Sequence, residues 1–461
     1  MSNTVAPVEL DEFLQRHPGT RMIETLNVDA HGILRGKRIA RDEFRTLYDK
    51  GLKVCRASTL LDVKGSTVAE LGLGSRDGDP DCIALPVPGS LAPVPWLPSC
   101  PAQVLMSLDE LDGTPCASDP RHIVRNVVAR LAELGYHAVV ATELEFYLVE
   151  EDAAGTLQPR LSRVGNTSRR QDGVQYAMLE DLWELDDFLA DVYAACEAQG
   201  LPAGATLSEF ASGQYEINLH HVDDPVLACD HAVLLKRLIK GVAARHGLTA
   251  TFMAKPFAEH AGSGLHIHTS LYDGNRNNVF ADPSGAAAPA HAPLLRHAIG
   301  GLAATMAEGM AVFAPNANSY RRIVPGAFVP LTPNWGYNHR AVSLRIPICD
   351  PPNMRVEHRS AGADANPYLV VACVLAGIHH GIVNACDPGP MIESGTFVED
   401  PPITVPYRWD AALDRFTGAS VLRSYLGERY CRHYEINRRS ECDRFHAEIS
   451  DRDFSWYLRT V

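Results

Sequence analysis

The run AVVATELEFYLV, residues 138–149, is apolar enough to be a buried β-strand, yet it carries Glu143 and Glu145. Residues two apart on a strand share a face, so both carboxylates point the same way. On a solvent-facing edge that costs nothing. On an inner face, adjacent carboxylates repel each other and need cations. Three further segments offer ligands of the same kind: Glu209 and Glu216 in TLSEFASGQYEINLHH, His266 in AGSGLHIHTS, and Glu357 in NMRVEHRS. Taken alone, Glu209 and Glu216 read as the acids of a surface hairpin around an Ala-Ser-Gly bend. Taken together, a carboxylate-rich, thiolate-free set suits hard divalent cations, Mg2+ or Mn2+, rather than structural zinc. Two such ions beside ATP phosphates are the machinery of phosphoryl transfer, so the set points to an ATP-dependent enzyme.

The 461 residues are 46% hydrophobic and 21% charged, an ordinary globular composition with room for two domains or one large one. A net charge of -14 argues against nucleic acid or an anionic membrane as the main partner. Eleven cysteines at irregular spacings, with no C-x-x-C, read as reduced thiols rather than a disulfide framework or a zinc site. The opening MSNTVAPVELDEF has neither a basic n-region nor an apolar h-region. No stretch approaches the roughly 18–20 apolar residues of a membrane span. The expected compartment is the cytoplasm.

Six prolines between Leu85 and Pro101 mark an extended loop near the end of a first, smaller domain, expected over residues 1–113. Within it, MIETLNVDAHGILRGKRI reads as a strand, an Asp-Ala-His-Gly turn and a second strand. The remainder, 114–461, has clearer helices. Asp119-Pro120 and Asp224-Pro225 each set an N-cap before a proline at the first helical position, with Gly135 and Gly247 at the far ends. A third helix is expected from Asp181 to Gln199, with Leu182, Leu185, Leu189 and Val192 on one face and Gly200 after it. In Gln214 to His220, alternation puts Gln214, Glu216, Asn218 and His220 on one side. Strands and helices mix without regular βαβ alternation, so the expected class is α+β.

Gly262, Ser263 and Gly264 lead into His266 and His268, which share a strand face, and then Ser270. Glycines let a backbone approach a ligand closely. An arginine array follows: Arg321, Arg322, Arg340, Arg345, Arg355 and Arg359. Arg345 lies in a strand-like apolar run, and a buried guanidinium needs an anion such as phosphate or carboxylate. Ordinary salt bridging to the acidic surplus accounts for some of the six. GILRGKR, residues 32–38, has the wrong spacing for a Walker A loop, and no G-x-S-x-G occurs. An ATP site here belongs to another kind of fold.

Taken in order, TELEF, SGQYEIN, GSGLHIHTS, NSYRRIVPG, LRIP and RVEHR resemble the motifs of the glutamine synthetase family, over most of the chain. The resemblance implies a small β-grasp domain around VDAHGILRGKRI, a catalytic domain with a curved antiparallel sheet and surrounding helices, and a C-terminal strap in DFSWYLRTV. It implies a homo-oligomer, a ring of six or two stacked rings of six, with each active site completed by the neighbour's small domain. One metal ion would be held by Glu145, Glu209 and Glu216, the other by Glu143, His266 and Glu357. His268, Ser270, Arg340, Arg345 and Arg355 would contact ATP. Gly262, His266, Arg321 and Arg359 would hold glutamate. Arg340, Arg359 and Glu357 would form the catalytic set, with Arg340 steadying the transferring phosphoryl group. The implied reaction is phosphorylation of the glutamate γ-carboxylate by ATP, then displacement of phosphate by a nitrogen nucleophile.

The departures from the family pattern concern that nucleophile. Ammonia-using members carry a glutamate in the flap after Arg-Leu-Val-Pro-Gly and an aspartate in the small domain, and these bind ammonium. Here Phe328 stands at the flap position and Arg56, in CRAST, at the other. Losing two carboxylates weakens a small-cation site, and the ring makes room for a carbon chain. The expected nucleophile is therefore an organic primary amine: alkyl, aromatic or polyamine. Arg56 argues against a second cation near the reacting nitrogen, which tilts the expectation toward a monoamine, with polyamines as the family default. The alternatives are an ammonia-using glutamine synthetase and a non-catalytic homologue. TFVEDPP, residues 396–402, has no tyrosine before its proline pair, so control by tyrosine adenylylation is not expected.

Overall fold

The computed structural model describes residues 5–171, 173–282, 292–324, 329, 331–396 and 402–461. Its first sheet has seven strands: β1 (Met22–Val28), β2 (Leu34–Arg35), β3 (Arg38–Ala40), β4 (Leu52–Cys55), β5 (Asp81–Pro86), β6 (Ala92–Pro93) and β7 (Ala102–Asp109). The order is β2-β1-β7-β5-β4, with β3 on β1 and β6 on β7, and β1 runs parallel to β7. Helices α1 (Val5–Arg16) and α2 (Phe44–Lys50) cover it, sharing a core in which Leu10, Phe13, Phe44 and Leu47 meet Ile23 and Val104. The second strand expected after the Asp-Ala-His-Gly turn is split into β2 and β3 at Gly36. A Cβ there would lie 1.6 Å from the Thr25 carbonyl oxygen, so only glycine lets the chain pass that close to β1. The proline run is loop apart from the end of β5 and the short β6, as missing N–H donors dictate.

The second sheet has nine strands: β8 (His137–Glu151), β9 (Leu157–Pro159), β10 (Ala203–Ser208), β11 (Gln214–Leu219), β12 (Thr249–Thr251), β13 (Leu265–Tyr272), β14 (Trp335–Tyr337), β15 (Leu344–Ile346) and β16 (Val356–His358). The order is β10-β11-β8-β13-β16-β15-β14, with β9 and β12 both on β8. The sheet is mixed rather than wholly antiparallel, because β14 lies parallel to β15.

The remaining helices are α3 (Pro120–Glu133), α4 (Leu179–Trp183), α5 (Asp186–Gln199), α6 (Pro225–Arg245), α7 (Pro293–Phe313), α8 (Ser319–Arg322), α9 (Pro367–Val383), α10 (Trp409–Thr417), α11 (Val421–Leu426), α12 (Glu428–Ala447) and α13 (Asp451–Tyr457). Asp119 and Asp224 cap α3 and α6 as expected, accepting from the N–H groups of Arg121 and of Val226 and Leu227. The single helix expected over Asp181–Gln199 is broken into α4 and α5. Glu184, at the break, accepts from the Arg163 N–H at 2.5 Å and faces Arg160 and Arg170, while Leu185 turns into the core.

Arg121 on α3 makes a two-pronged ion pair with Asp230 on α6, at 2.9 and 2.5 Å, and Tyr368 on α9 donates to the same carboxylate. Helices α7 and α9 cross through glycines: a Cβ on Gly301 would lie 2.1 Å from the Gly377 carbonyl oxygen. The small-sheet part is tied to α9 and α12 by backbone clasps. Asn366 donates to the Asp29 carbonyl at 3.0 Å, Asn437 to that of Leu60 at 2.6 Å, and Glu441 accepts from the Val63 N–H at 2.7 Å. Among the described residues no helix is long and apolar enough to cross a membrane.

Candidate active site

Strands β11, β8, β13, β16 and β15 lie side by side, and their register writes a polar row across one face. Glu216 pairs with Glu145, Glu143 with His266, His268 with Glu357, and Glu357 with Arg345. The alternate residues, among them Leu144, Phe146, Ile217 and Ile267, enter the core. Glu209 is brought back to the row by the bend after β10, where its N–H donates to the Gln214 carbonyl at 2.9 Å.

The acids and histidines form overlapping clusters. Glu145, Glu209 and Glu216 each bring an oxygen within 4.8 Å of the others. Glu143 does the same with Glu216 and His266, and again with His268 and Glu357. His266 Nδ1 is 3.1 Å and His268 Nε2 is 2.8 Å from Glu143. All six expected ligands thus lie together, with His268 bordering the second cluster as closely as His266. Glu145 is oriented by the Gly264 N–H at 2.8 Å and by Gln214 at 3.3 Å. Gln214 was visible in the sequence only as a neighbour on the Glu216 face.

The two halves of the row differ in charge. Burial and the Glu145 carboxylate push Glu209 up to about 7. Burial, with Glu143, Glu145 and Glu209 nearby, pushes Glu216 up to about 9. Among the described residues no basic side chain forms an ion pair with either. Convergent, crowded oxygens of this kind fit a hard divalent cation. On the other side burial raises Glu357, but His268, Arg359 and His266 outweigh it and hold the carboxyl at about 2. Glu143 is likewise held low: His268 and His266 overcome its burial. Arg345 donates to one Glu357 oxygen at 2.6 Å and Arg359 to the other.

The arginines do not all arrive where the sequence places them. Arg321 is exposed, its guanidinium 5.6 Å from the centre of the Phe445 ring on α12, and it does not join the row. Its neighbour Arg322 does. Arg322 is buried, donates to the Ser360 carbonyl at 3.2 Å, and runs beneath the Gly-Ser-Gly segment. A Cβ on Gly262 would lie 2.6 Å from Arg322 Cγ. One on Gly264 would lie 2.7 Å from Arg322 Nη2, 3.0 Å from His266 and 3.4 Å from Glu145. Those glycines make room for a side chain of the protein itself. The two arginines occupy successive positions on one helical turn, pointing about 100° apart, so only one can face the sheet.

Arg355 donates from Nε to His268 Nδ1 at 3.2 Å. Arg340 is exposed in the turn after β14, close enough for its charge to lower Glu209. Ser270 donates to the Met354 carbonyl at 2.9 Å. Glu143, His268, Ser270 and Arg355 line a cavity of about 410 Å³, together with His220 and Asn353. That volume lies within the roughly 300–1,000 Å³ of small-molecule sites. Arg56, in the turn after β4, donates to Glu110 at 2.5 Å, so its charge is already compensated. Phe328, and residues 397–401 of the TFVEDPP segment, lie outside the described residues.

Carboxylates, imidazoles and guanidiniums carried in this order on a mixed sheet define the catalytic domain of glutamine synthetases, and that family's model matches residues 117–457. The chain belongs to the glutamine synthetase family. It is 40% identical over 455 residues to the gamma-glutamylputrescine synthetase PuuA of Escherichia coli (strain K12), covering 98% of this chain and 95% of that one. It is 31% identical to a glutamate–isopropylamine ligase of a Pseudomonas species, with 98% of each chain covered. A solved structure of GmaS in complex with ADP superposes with a TM-score of 0.82 at 26% identity, covering 99% of this chain and 100% of that one.

Proposed function

We propose that this chain is an ATP-dependent ligase that joins the γ-carboxylate of glutamate to an organic primary amine through a γ-glutamyl phosphate. The observation that carries this reading is the single polar row from Glu216 to Arg345, in which crowded acids give way to guanidiniums along one sheet face. Kinship with amine ligases supports the same reading. The balanced reaction is ATP, glutamate and amine to ADP, phosphate and γ-glutamyl amide.

In this reading Glu145, Glu209 and Glu216 hold one Mg2+ or Mn2+ ion, and Glu143, His266 and Glu357 hold another. Such ions supply charge neutralisation for the phosphate oxygens. Arg345, Arg355 and His268 face the nucleotide phosphates, and Ser270 lines the nucleotide cavity. Arg322, taken here in place of Arg321, and Arg359 grip the glutamate carboxylates beside Gly262. Arg340 steadies the transferred phosphoryl group. Arg345 and Arg359 exchange their hold on Glu357 for the anionic substrates, which keeps guanidinium charge paired throughout.

A diamine or polyamine now ranks ahead of a monoamine. The objection raised by Arg56 weakens once Glu110 neutralises it, and a relative at 40% identity is named for putrescine. Residues 1–113 and 114–461 are read as small and catalytic domains, supported by the separate core around Ile23 and Val104. Assembly as a ring of six, single or stacked, is supported by exposed Trp183, Trp456 and Leu458, at 68%, 57% and 77%, and the proposed compartment is the cytoplasm. The deciding experiment is phosphate release from ATP with Mg2+ and glutamate across ammonium, putrescine, spermidine, ethanolamine, an alkylamine and an arylalkylamine, with products weighed by mass spectrometry. Release with an organic amine and not with ammonium upholds the reading; robust glutamine formation overturns it.

A further inference from the structure

A second group of metal-ligating side chains lies in the small sheet, away from the polar row. The sulfurs of Cys82, on β5, and Cys116 are 3.6 Å apart, and both residues are buried, at 0% and 1% exposure. Glu110 Oε2 is 3.8 Å from the Cys82 sulfur, and one atom from each of the three lies within 4.8 Å of the others. Ladder geometry brings them together. Ile83 pairs with Asp109 on one side of β7, and Asp109 bridges Pro115 on the other. The two cysteines therefore flank the end of β7 from opposite sides, with Glu110 at its tip.

The separations suit a shared ion. A tetrahedral ion with metal–sulfur bonds of about 2.3 Å keeps its two sulfurs about 3.8 Å apart and its sulfur–oxygen edges about 3.5 Å. The observed separations match those edges. We propose that Cys82, Cys116 and Glu110 form a binding site for a thiophilic divalent ion of the zinc class, with its fourth position open to water or to the Ser118 hydroxyl.

The surroundings support uptake. Ser118 Oγ is 3.2 Å from the Cys116 sulfur, and Thr59 donates to Ser118 at 2.9 Å. Binding releases the thiol protons and forms two metal–thiolate bonds, with no change of oxidation state. Arg56 and Glu110 retain side-chain exposures of 25% and 19%, which opens the group to solvent on that side. Arg56 is the cation that occupies Glu110 without metal, at 2.5 Å, so the ion and the guanidinium compete for one carboxylate.

Cadmium is the probe, because its thiolate complexes absorb in the ultraviolet. Titration of the reduced full-length protein should give one equivalent per chain with the absorbance of two thiolates. Cys82→Ser and Cys116→Ser should each abolish that equivalent while keeping the wild-type melting curve. Glu110→Gln should weaken binding about tenfold, and Arg56→Gln, by freeing Glu110, should tighten it by a similar factor. The proposal is overturned if neither wild type nor Arg56→Gln develops the band, or if the band survives both serine substitutions. Peptide mapping that finds a Cys82–Cys116 disulfide in protein purified without reductant overturns it as well.

Discussion

Glu216 is buried among three other carboxylates, with no basic side chain ion-paired to it among the described residues, and its titration follows from that burial and crowding. Its folded value, about 9, lies above the ordinary 4.5, so the group favours the folded state only while protonated. That contribution is whole below about pH 4.5 and is lost as pH rises toward about 9. Metal-free protein should therefore lose thermal stability between about pH 5 and about pH 9, and Glu216→Gln should flatten the decline. Mn2+ should raise the melting temperature more at about pH 8 than at about pH 6, because fewer protons need displacing. Melting curves in chelator and in Mn2+ across that range check this; an equal gain at both ends contradicts it. The adjacent arginines give a second test. Removing the buried Arg322 guanidinium with Arg322→Met costs about 3 kcal/mol of charged hydrogen bonding, so kcat/KM for glutamate should fall about 10²-fold. Arg321→Met, which removes an exposed guanidinium set against the Phe445 ring, should stay within about twofold. Steady-state kinetics with glutamate varied separates the two, and the reverse ranking would return the role to Arg321.

At the scale of elements, local rules carried well wherever the determinant was local. Asp119 and Asp224 cap their helices because the carboxylate and its N–H partners lie within three residues, and alternation in β8, β11 and β13 assigned the polar face correctly. Features set by distant partners were not legible. The break at Glu184 depends on Arg160, Arg163 and Arg170, the choice of Arg322 over Arg321 depends on the orientation of α8, and the pairing of Cys82 with Cys116 depends on β7 between them. Glycines had a second role that was hidden for the same reason: Gly262 and Gly264, read as a ligand approach, also clear the path of Arg322. Gly301 sits in mid-helix, where alanine is worth about 1 kcal/mol more by propensity. Its missing Cβ lets α7 touch α9, so Gly301→Ala should nonetheless destabilise the protein by about 2 kcal/mol, measured by urea unfolding. Asp230→Ala, which strands the Arg121 guanidinium between α3, α6 and α9, should cost about 3–5 kcal/mol in the same assay.

At the scale of the molecule, the small sheet is held against the catalytic part by three backbone clasps from Asn366, Asn437 and Glu441. If sites are shared around a ring, the species active in the amine assay should have six or twelve times the mass of one chain by light scattering. Full activity in a fraction of single-chain mass would exclude sharing. The polar row has a further consequence for how this chain comes into being on the ribosome. Its residues run from Glu143 on β8 to Glu357 on β16, and the strands that complete it are added in sequence on either side of β8. A nascent chain that has emerged only through β13 holds the crowded acids but neither Glu357 nor the guanidiniums that balance it. The site therefore does not exist in part. Truncated products keep the crowded acids and lack the guanidinium half of the row, and functional geometry appears late, when β16 slides in beside β13 and brings its counter-charges with it.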